Sequence, residues 1–172
     1  MIIQFCGLSG SGKTTLAERV NALLKQQNVK CEIIDGDVYR KVLCADLGFT
    51  KEDRNENIRR LAFVASKLSA HGVITIICAI NPYDDIRREV SAKYPNVKTV
   101  YIDCSIDELV RRDTKQLYRK ALLPDGHPDK INNLTGINDP FDVPSVCDLI
   151  IKTDTETIEE SAQRLMRFIL AQ

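Results

Sequence analysis

Near its first residues the chain reads Gly7-Leu8-Ser9-Gly10-Ser11-Gly12-Lys13-Thr14, which fits the phosphate-binding pattern G-x-x-x-x-G-K-[ST]. The apolar run Ile2–Cys6 precedes it and predicts a strand, and residues with helical periodicity follow it. Glycines let several backbone N–H groups converge on phosphate oxygens at the positive end of a helix. Lys13 is expected to reach the β- and γ-phosphates and Thr14 to ligate Mg²⁺. The stretch therefore predicts a site for a nucleoside triphosphate with Mg²⁺.

Composition is that of an ordinary soluble domain. The 172 residues are 44% hydrophobic and 28% charged, and 24 basic residues balance 24 acidic ones. This predicts one domain over residues 1–172, with no global field favouring nucleic acid or a membrane. Without a long apolar stretch or a leader pattern, we expect a cytoplasmic protein. The six cysteines form no C-x-x-C pair and favour neither a disulfide scaffold nor a zinc site.

Apolar, β-branched runs alternate with segments of helical periodicity along the chain. Strands are predicted at Ile2–Cys6, Cys31–Ile34, Val73–Ile80, Val97–Ile102 and Leu149–Ile151. Helices are predicted at Leu16–Lys25, Arg54–Ser69 and Ile86–Lys93, and capping-box patterns at Ser105 and Thr157 mark two more helix starts. The alternation indicates an α/β fold, a three-layer sandwich with a five-stranded parallel sheet covered by helices on both faces.

One segment breaks this alternation. Leu122–Val143 is rich in proline, glycine, aspartate and asparagine and has little periodicity. Long unstructured segments in compact domains are commonly functional, so we predict a loop or lid here, within a lid region of about residues 113–144.

Two carboxylates follow the predicted second strand, in Asp35-Gly36-Asp37-Val38-Tyr39-Arg40. In a parallel sheet they would lie beside the phosphate loop, since ligands bind outside the carboxyl ends of the strands. One carboxylate can hold Mg²⁺ through water, the other can accept the proton of an attacking hydroxyl, and Arg40 can pair with a substrate anion. The alternative is an Asp-Gly turn with a helix-capping aspartate.

An aromatic residue, two arginines and an asparagine occupy the entrance to the next predicted helix. Phe49 is available to stack on a base, and Arg54 and Asn57 share a helix face that suits an anionic, nucleotide-like substrate. A charged helix face with i,i+4 pairs is the alternative. Tyr118, with the two basic residues after it, favours a solvated helix face when taken alone.

Taken together, these segments resemble the adenylylsulfate kinase family, and the similarity runs nearly end to end. The matching residues are Gly7–Thr15, Asp35-Gly36-Asp37-x-x-Arg40, Leu47-Gly48-Phe49, Asp53-Arg54-x-x-Asn57-x-Arg59-Arg60, Asp113-x-Lys115-x-Leu117-Tyr118, Thr135-Gly136-Ile137, Asp139-Pro140 and Pro144.

The resemblance implies an activity: phosphorylation of the 3′-hydroxyl of adenosine 5′-phosphosulfate by MgATP, in sulfate activation, by a homodimer. It implies that Asp37 and Lys13 are catalytic and that Thr14 and Asp35 hold Mg²⁺. The implied ATP site comprises Gly10, Ser11, Gly12, Lys13, Thr14, Thr15 and Arg112. The implied acceptor site comprises Asp37, Arg40, Phe49, Arg54, Asn57, Ile80, Asn81, Lys115, Leu134 and Thr135.

The chain departs from the family pattern at three of these places. Asn81 stands where the family usually has serine, Gln116 where it commonly has glycine, and Leu134 where it commonly has phenylalanine. A phosphoserine cannot form at Asn81, and a base stacked on Phe49 would lack a second aromatic partner.

Three other functions compete with this interpretation. One is a kinase of the same fold for another acceptor, such as cytidine diphosphoramidate, a nucleoside monophosphate or a shikimate-type substrate. Another is a GTP switch, against which the absence of Asn-Lys-x-Asp and Asp-x-x-Gly counts. The third is a non-catalytic binding subunit, against which the intact Lys13, Thr14 and Asp37 count.

Overall fold

The computed structural model describes residues 1–172 as one five-stranded, all-parallel sheet with seven helices. The strands are β1 (Ile2–Cys6), β2 (Cys31–Asp35), β3 (Ile74–Cys78), β4 (Val97–Asp103) and β5 (Leu149–Lys152). The helices are α1 (Lys13–Gln26), α2 (Gly36–Leu43), α3 (Lys51–Ala70), α4 (Asp84–Lys93), α5 (Ile106–Arg112), α6 (Leu117–Ala121) and α7 (Ile158–Leu170). The predicted three-layer α/β fold is confirmed.

The sheet order is β2-β3-β1-β4-β5, so the strand that leads into the phosphate loop is central. Alternation along β1 sends Ile3 and Phe5 to one face and Ile2 to the other. Ile3 and Phe5 pack under α1 and α7, whereas Ile2 packs under α3 and α4. Each fully buried aliphatic side chain stabilises the fold by about 1.5–3 kcal/mol. These two cores fix the carboxyl ends of β1, β2 and β3 side by side.

A third, smaller cluster lies beside the phosphate loop. Its buried members are Cys104, Leu109, Tyr118, Ala121 and Leu134. Leu8 of the phosphate loop packs against it. The predicted loop at Leu122–Val143 contains no helix or strand, only an isolated bridge between Thr135 and Asp139. The cluster therefore joins α5, α6 and this loop to the phosphate loop.

Helix starts agree with the sequence in one place and differ in another. Thr157 and Glu160 form the predicted capping box at α7. Ser105 precedes α5 but makes no side-chain cap, so the capping box predicted there is wrong. Glu108 binds Arg111 and Arg112 instead, because two guanidinium groups outcompete one backbone N–H for its carboxylate. None of the seven helices combines the length and apolar character that crossing a bilayer requires.

Candidate active site

The phosphate loop turns sharply between β1 and α1. A Cβ on Gly7 would lie 2.4 Å from the carbonyl oxygen of Ile102, so only glycine fits where β1 ends. The loop then closes on itself, because Ser11 N–H donates to the Leu8 carbonyl at 3.2 Å. A cavity of about 510 Å³ opens outside this turn, large enough for a nucleotide. We refer to it as the donor cavity.

Lys13 is the first residue of α1 and is almost completely buried. Its Nζ donates to the carbonyls of Gly7 at 2.8 Å and Leu8 at 2.7 Å, and more weakly to Ser11 Oγ at 3.4 Å. Burial lowers the pKa of Lys13 to about 8, because the low-dielectric surroundings disfavour the ammonium form. The ammonium group is thus held beside the loop, where anionic phosphate would relieve its desolvation.

Asp35 ends β2 and performs two tasks with its two oxygens. Oδ1 accepts from the N–H groups of Asp37 at 2.9 Å and Val38 at 3.1 Å, which caps α2. Oδ2 accepts from the Thr14 hydroxyl at 3.2 Å. The capping aspartate considered as an alternative is therefore present, and it leaves a hydroxyl and a carboxylate oxygen side by side. Both are hard oxygen ligands of the kind that Mg²⁺ prefers.

Asp37 lies in the first turn of α2 and is 80% exposed at its side chain. Its Oδ2 accepts from Lys115 Nζ at 2.9 Å, an ion pair that joins α2 to the segment after α5. Asp37, Ala79 and Ile80 line both the donor cavity and a second, smaller cavity. Asp37 is the one ionisable residue that the two cavities share.

The second cavity, which we call the acceptor pocket, measures about 90 Å³. The residues that line it are Gly36, Asp37, Arg40, Phe49, Arg54, Asn57, Ile58, Ala79, Ile80, Asn81 and Pro82. Seven of the ten predicted acceptor residues are in this set, and Lys115 lies beside it through Asp37. The structure therefore brings eight of the ten together.

Two arginines flank the half-exposed ring of Phe49. The Arg40 guanidinium lies 4.5 Å from the ring centroid and that of Arg54 lies 5.6 Å from it. Arg40 also donates to the Gly48 carbonyl. Arg54 donates to the carbonyls of Phe49 and Asn133 and pairs with Asp139 at 3.2 Å. These contacts hold two cations and an aromatic face at one opening, an arrangement suited to a nucleotide-like anion.

Two asparagines supply polar atoms to the same pocket. Asn57 Oδ1 and Asn81 Oδ1 are buried and have no hydrogen-bond partner. Asn81 adopts a φ of 48°, which asparagine tolerates better than most residues, and its Nδ2 donates to Gln4 Oε1 at 3.3 Å. Since buried polar atoms without partners are costly, these two oxygens are sites where a ligand can supply the missing bonds.

Three other predicted site residues, Arg112, Leu134 and Thr135, do not line the acceptor pocket. Arg112 lines the donor cavity, held by Glu108 at 2.8 Å and by the Thr153 carbonyl at 2.6 Å. Leu134 is buried in the third cluster, and Thr135 is buried next to it with a hydroxyl 3.5 Å from Asp139. Neither Leu134 nor Thr135 lines either cavity.

The sequence-based interpretation missed three residues beside the donor cavity. Tyr118 is only 2% exposed, so the solvated helix face expected for it is wrong: the ring packs in the third cluster. Thr153 contacts the phosphate loop from the end of β5, and Cys78 places its Sγ 3.5 Å from Thr14 Oγ1. Burial raises the pKa of Cys78 to about 11, which keeps it a neutral thiol at physiological pH.

Comparisons with known proteins agree with this geometry. The sequence model of the family described as adenylylsulphate kinase matches residues 1–152. The adenylyl-sulfate kinase of Picosynechococcus sp. is 41% identical over 165 residues, covering 96% of this chain and 90% of the relative. That of Chloroflexus aurantiacus is 42% identical, covering 96% and 87%. The APS kinase of Mycobacterium tuberculosis, in a structure with AMPPNP and APS, aligns with a TM-score of 0.90 at 35% identity, over 98% of this chain and 96% of that one.

Proposed function

The chain belongs to the adenylylsulfate kinase family and is an ATP-dependent kinase, and we propose that its acceptor is adenosine 5′-phosphosulfate. The γ-phosphate of ATP is transferred to the 3′-hydroxyl, giving 3′-phosphoadenylylsulfate and ADP. The observation that carries this proposal is the shared position of Asp37, which lines both the donor cavity and the acceptor pocket. A carboxylate in that position can contact the acceptor hydroxyl close to the phosphate that the hydroxyl attacks.

The donor side of the proposal rests on the phosphate loop. The backbone of Gly10 to Thr15 holds the phosphates, and Lys13 leaves the carbonyls of Gly7 and Leu8 to pair with phosphate oxygens. Thr14 and Asp35 are the residues that would hold Mg²⁺, since their oxygens already lie 3.2 Å apart. Mg²⁺ bound there would neutralise charge on the phosphates during transfer. Arg112, at the rim of the donor cavity, flanks the adenine of ATP.

The acceptor side depends on charge and stacking. Arg40 and Arg54 pair with the phosphosulfate, and Phe49 stacks on the adenine. Asn57, Ile80 and Asn81 complete the pocket wall. Leu134 and Thr135 line neither cavity and remain predicted acceptor contacts. They can contact the acceptor only if their own part of the Leu122–Val143 loop moves when substrate binds.

Asp37 and Lys115 act at the junction of the two sides. Asp37 orients the acceptor hydroxyl and accepts its proton, while Lys115, 2.9 Å from that carboxylate, supplies positive charge for the transferring phosphate. Phosphoryl transfer depends mainly on positioning and charge neutralisation. The loss of Lys13 should therefore cost more activity than the loss of the Asp37 carboxylate.

The test is product formation by Asp37→Asn and Lys13→Met variants, with 3′-phosphoadenylylsulfate identified by mass. We expect kcat to fall about 100-fold for Asp37→Asn, toward the lower end of general-base effects, and further for Lys13→Met. The matched control is Asp85→Asn, a half-exposed aspartate that also pairs with a lysine, Lys51, at 2.9 Å but lines neither cavity. An Asp37→Asn enzyme with the wild-type rate would contradict the role of this carboxylate.

We also propose a homodimer, as the family resemblance implies, and the cytoplasmic location that the sequence led us to expect. Sedimentation equilibrium should then give twice the mass of the chain.

A further inference from the structure

The outer side of the phosphate loop is held by two side chains from distant parts of the chain. The buried Tyr118 hydroxyl donates to the Ser9 carbonyl at 2.7 Å, and the Thr153 hydroxyl donates to the Ser11 carbonyl at 2.9 Å. Neither side chain contacts ATP or the acceptor in the function proposed above, although the Thr153 carbonyl also accepts from Arg112 at 2.6 Å. Each is bound to a carbonyl that immediately precedes a glycine of the loop.

Because the peptide group is planar, these two hydrogen bonds also fix the direction of the N–H group that follows each carbonyl. In a trans peptide the carbonyl of one residue and the N–H of the next point in opposite directions, and this chain has no cis peptide. Holding the Ser9 carbonyl outward therefore turns the Gly10 N–H inward, and holding the Ser11 carbonyl does the same for the Gly12 N–H. Both glycines line the donor cavity, and neither N–H donates to another protein group.

The peptides before the two glycines need these hydrogen bonds to keep one orientation. Gly10 and Gly12 have φ values of 77° and 90°, and glycine crosses between backbone regions more freely than any other residue. Without an external bond, the peptides before them could rotate and present a carbonyl to the phosphate. Preorganised N–H donors cost no reorganisation when the anion binds.

Tyr118 and Thr153 are themselves held in place by neighbouring elements. Tyr118 packs in the third cluster, and the Asp113 carboxylate fixes its helix by accepting from the N–H groups of Tyr118 and Arg119 at 3.0 and 2.8 Å. Burial raises the pKa of Tyr118 to about 12, so its hydroxyl remains a donor at neutral pH. Thr153 is tied to β4, since its N–H donates to the Asp103 carbonyl at 3.0 Å.

We infer that Tyr118 and Thr153 are positioning residues that aim the Gly10 and Gly12 N–H groups at the triphosphate. Because Tyr118 belongs to the lid region, it also ties the phosphate loop to the segment that closes over the acceptor. This inference rests on the proposed function only in taking a nucleoside triphosphate as the ligand of the donor cavity.

The experiment compares Tyr118→Phe and Thr153→Val, which remove one hydroxyl each and keep the packing. We measure Kd for a non-hydrolysable ATP analogue with Mg²⁺, in the absence of any acceptor. Each variant should weaken binding about 5- to 20-fold, as expected for the loss of one buried hydrogen bond. The matched controls are Tyr101→Phe and Thr75→Val, which lie outside the donor cavity and should leave Kd within twofold.

A second measurement distinguishes the positioning of one glycine N–H from a general loss of structure in the phosphate loop. In ¹⁵N-labelled protein, Tyr118→Phe should shift chiefly the Gly10 amide resonance and Thr153→Val chiefly that of Gly12. Folded variants with unchanged Kd, or with no selective glycine shift, would overturn the inference. If the two variants weaken analogue binding but the wild-type protein does not phosphorylate adenosine 5′-phosphosulfate, the proposed acceptor is wrong while the positioning role stands. A wild-type protein that binds no ATP analogue would overturn both.

Discussion

Gln116 is held in a backbone conformation that favours glycine. Its φ is 55° and it directly precedes α6, at the position where the resembling family commonly has glycine. A left-handed backbone costs a residue with a Cβ roughly 1–2 kcal/mol, whereas glycine loses about 0.5–1 kcal/mol of chain entropy on folding. The structure thus gives a physical reason for the family's glycine.

We predict that Gln116→Gly raises the free energy of unfolding by about 0.5–1 kcal/mol, as the difference between those two effects. Urea denaturation followed by circular dichroism measures the change. Gln116→Ala serves as the control, because it keeps the Cβ and should gain nothing. A glycine variant less stable than wild type would show that the left-handed backbone at Gln116 is not strained.

Some residues of the site could be predicted from the sequence and others could not. The position of Lys13, Thr14 and Asp37 at the donor cavity could be predicted, because each belongs to a local sequence motif. Tyr118 and Thr153 could not, because their phosphate-loop partners lie 109 and 142 residues away. No pattern around Thr153 distinguishes it from any other threonine after a strand.

At the scale of elements, the sequence predicted the five strands closely but missed α2 and α6. Gly36 suggested a turn, yet Asp35 caps a helix that begins at that glycine and continues to Leu43. Helices of eight and five residues show too few turns for periodicity to reveal them. Strand β3 is shorter than predicted, ending at Cys78, because Ala79 and Ile80 turn into the site.

The connection between α2 and α3 supports a prediction about Phe49. Phe49 is 56% exposed, and the guanidinium groups of Arg40 and Arg54 lie over its ring, so removal of the ring should cost little stability. Base stacking on an aromatic ring is worth about 1–3 kcal/mol. We expect Phe49→Ala to raise KM for adenosine 5′-phosphosulfate about tenfold or more, with KM for ATP unchanged, in steady-state kinetics.

Phe63→Ala is the matched control for Phe49→Ala. Phe63 is 53% exposed and also has a cation, Lys67, over its ring at 5.0 Å, but it lies on α3 away from both cavities. Its removal should leave both KM values unchanged. Equal effects of the two substitutions would mean that Phe49 has no specific contact with the acceptor.

At the scale of the whole molecule, the parallel sheet itself assembles the site. The ends of β1, β2 and β3 deliver the phosphate loop, the two aspartates and the Ala79–Asn81 turn to one edge. Residues that the sequence separates by more than 60 positions thereby line one cavity. This convergence follows from the fold class, which is why Asp35 and Asp37 could be placed beside the phosphate loop from the parallel sheet alone. Lys115, Leu134 and Thr135 were expected as acceptor contacts only from the family resemblance.

The most direct test of the proposed acceptor is a competition at limiting MgATP. Equimolar adenosine 5′-phosphosulfate, cytidine diphosphoramidate, adenosine 5′-monophosphate and shikimate are supplied together, and each phosphorylated product is quantified by mass. Because only the first carries both an adenine for Phe49 and a phosphosulfate for Arg40 and Arg54, we predict that 3′-phosphoadenylylsulfate accounts for nearly all of the product. Preferential phosphorylation of any other acceptor, or consumption of ATP without this product, would show that adenosine 5′-phosphosulfate is not the acceptor.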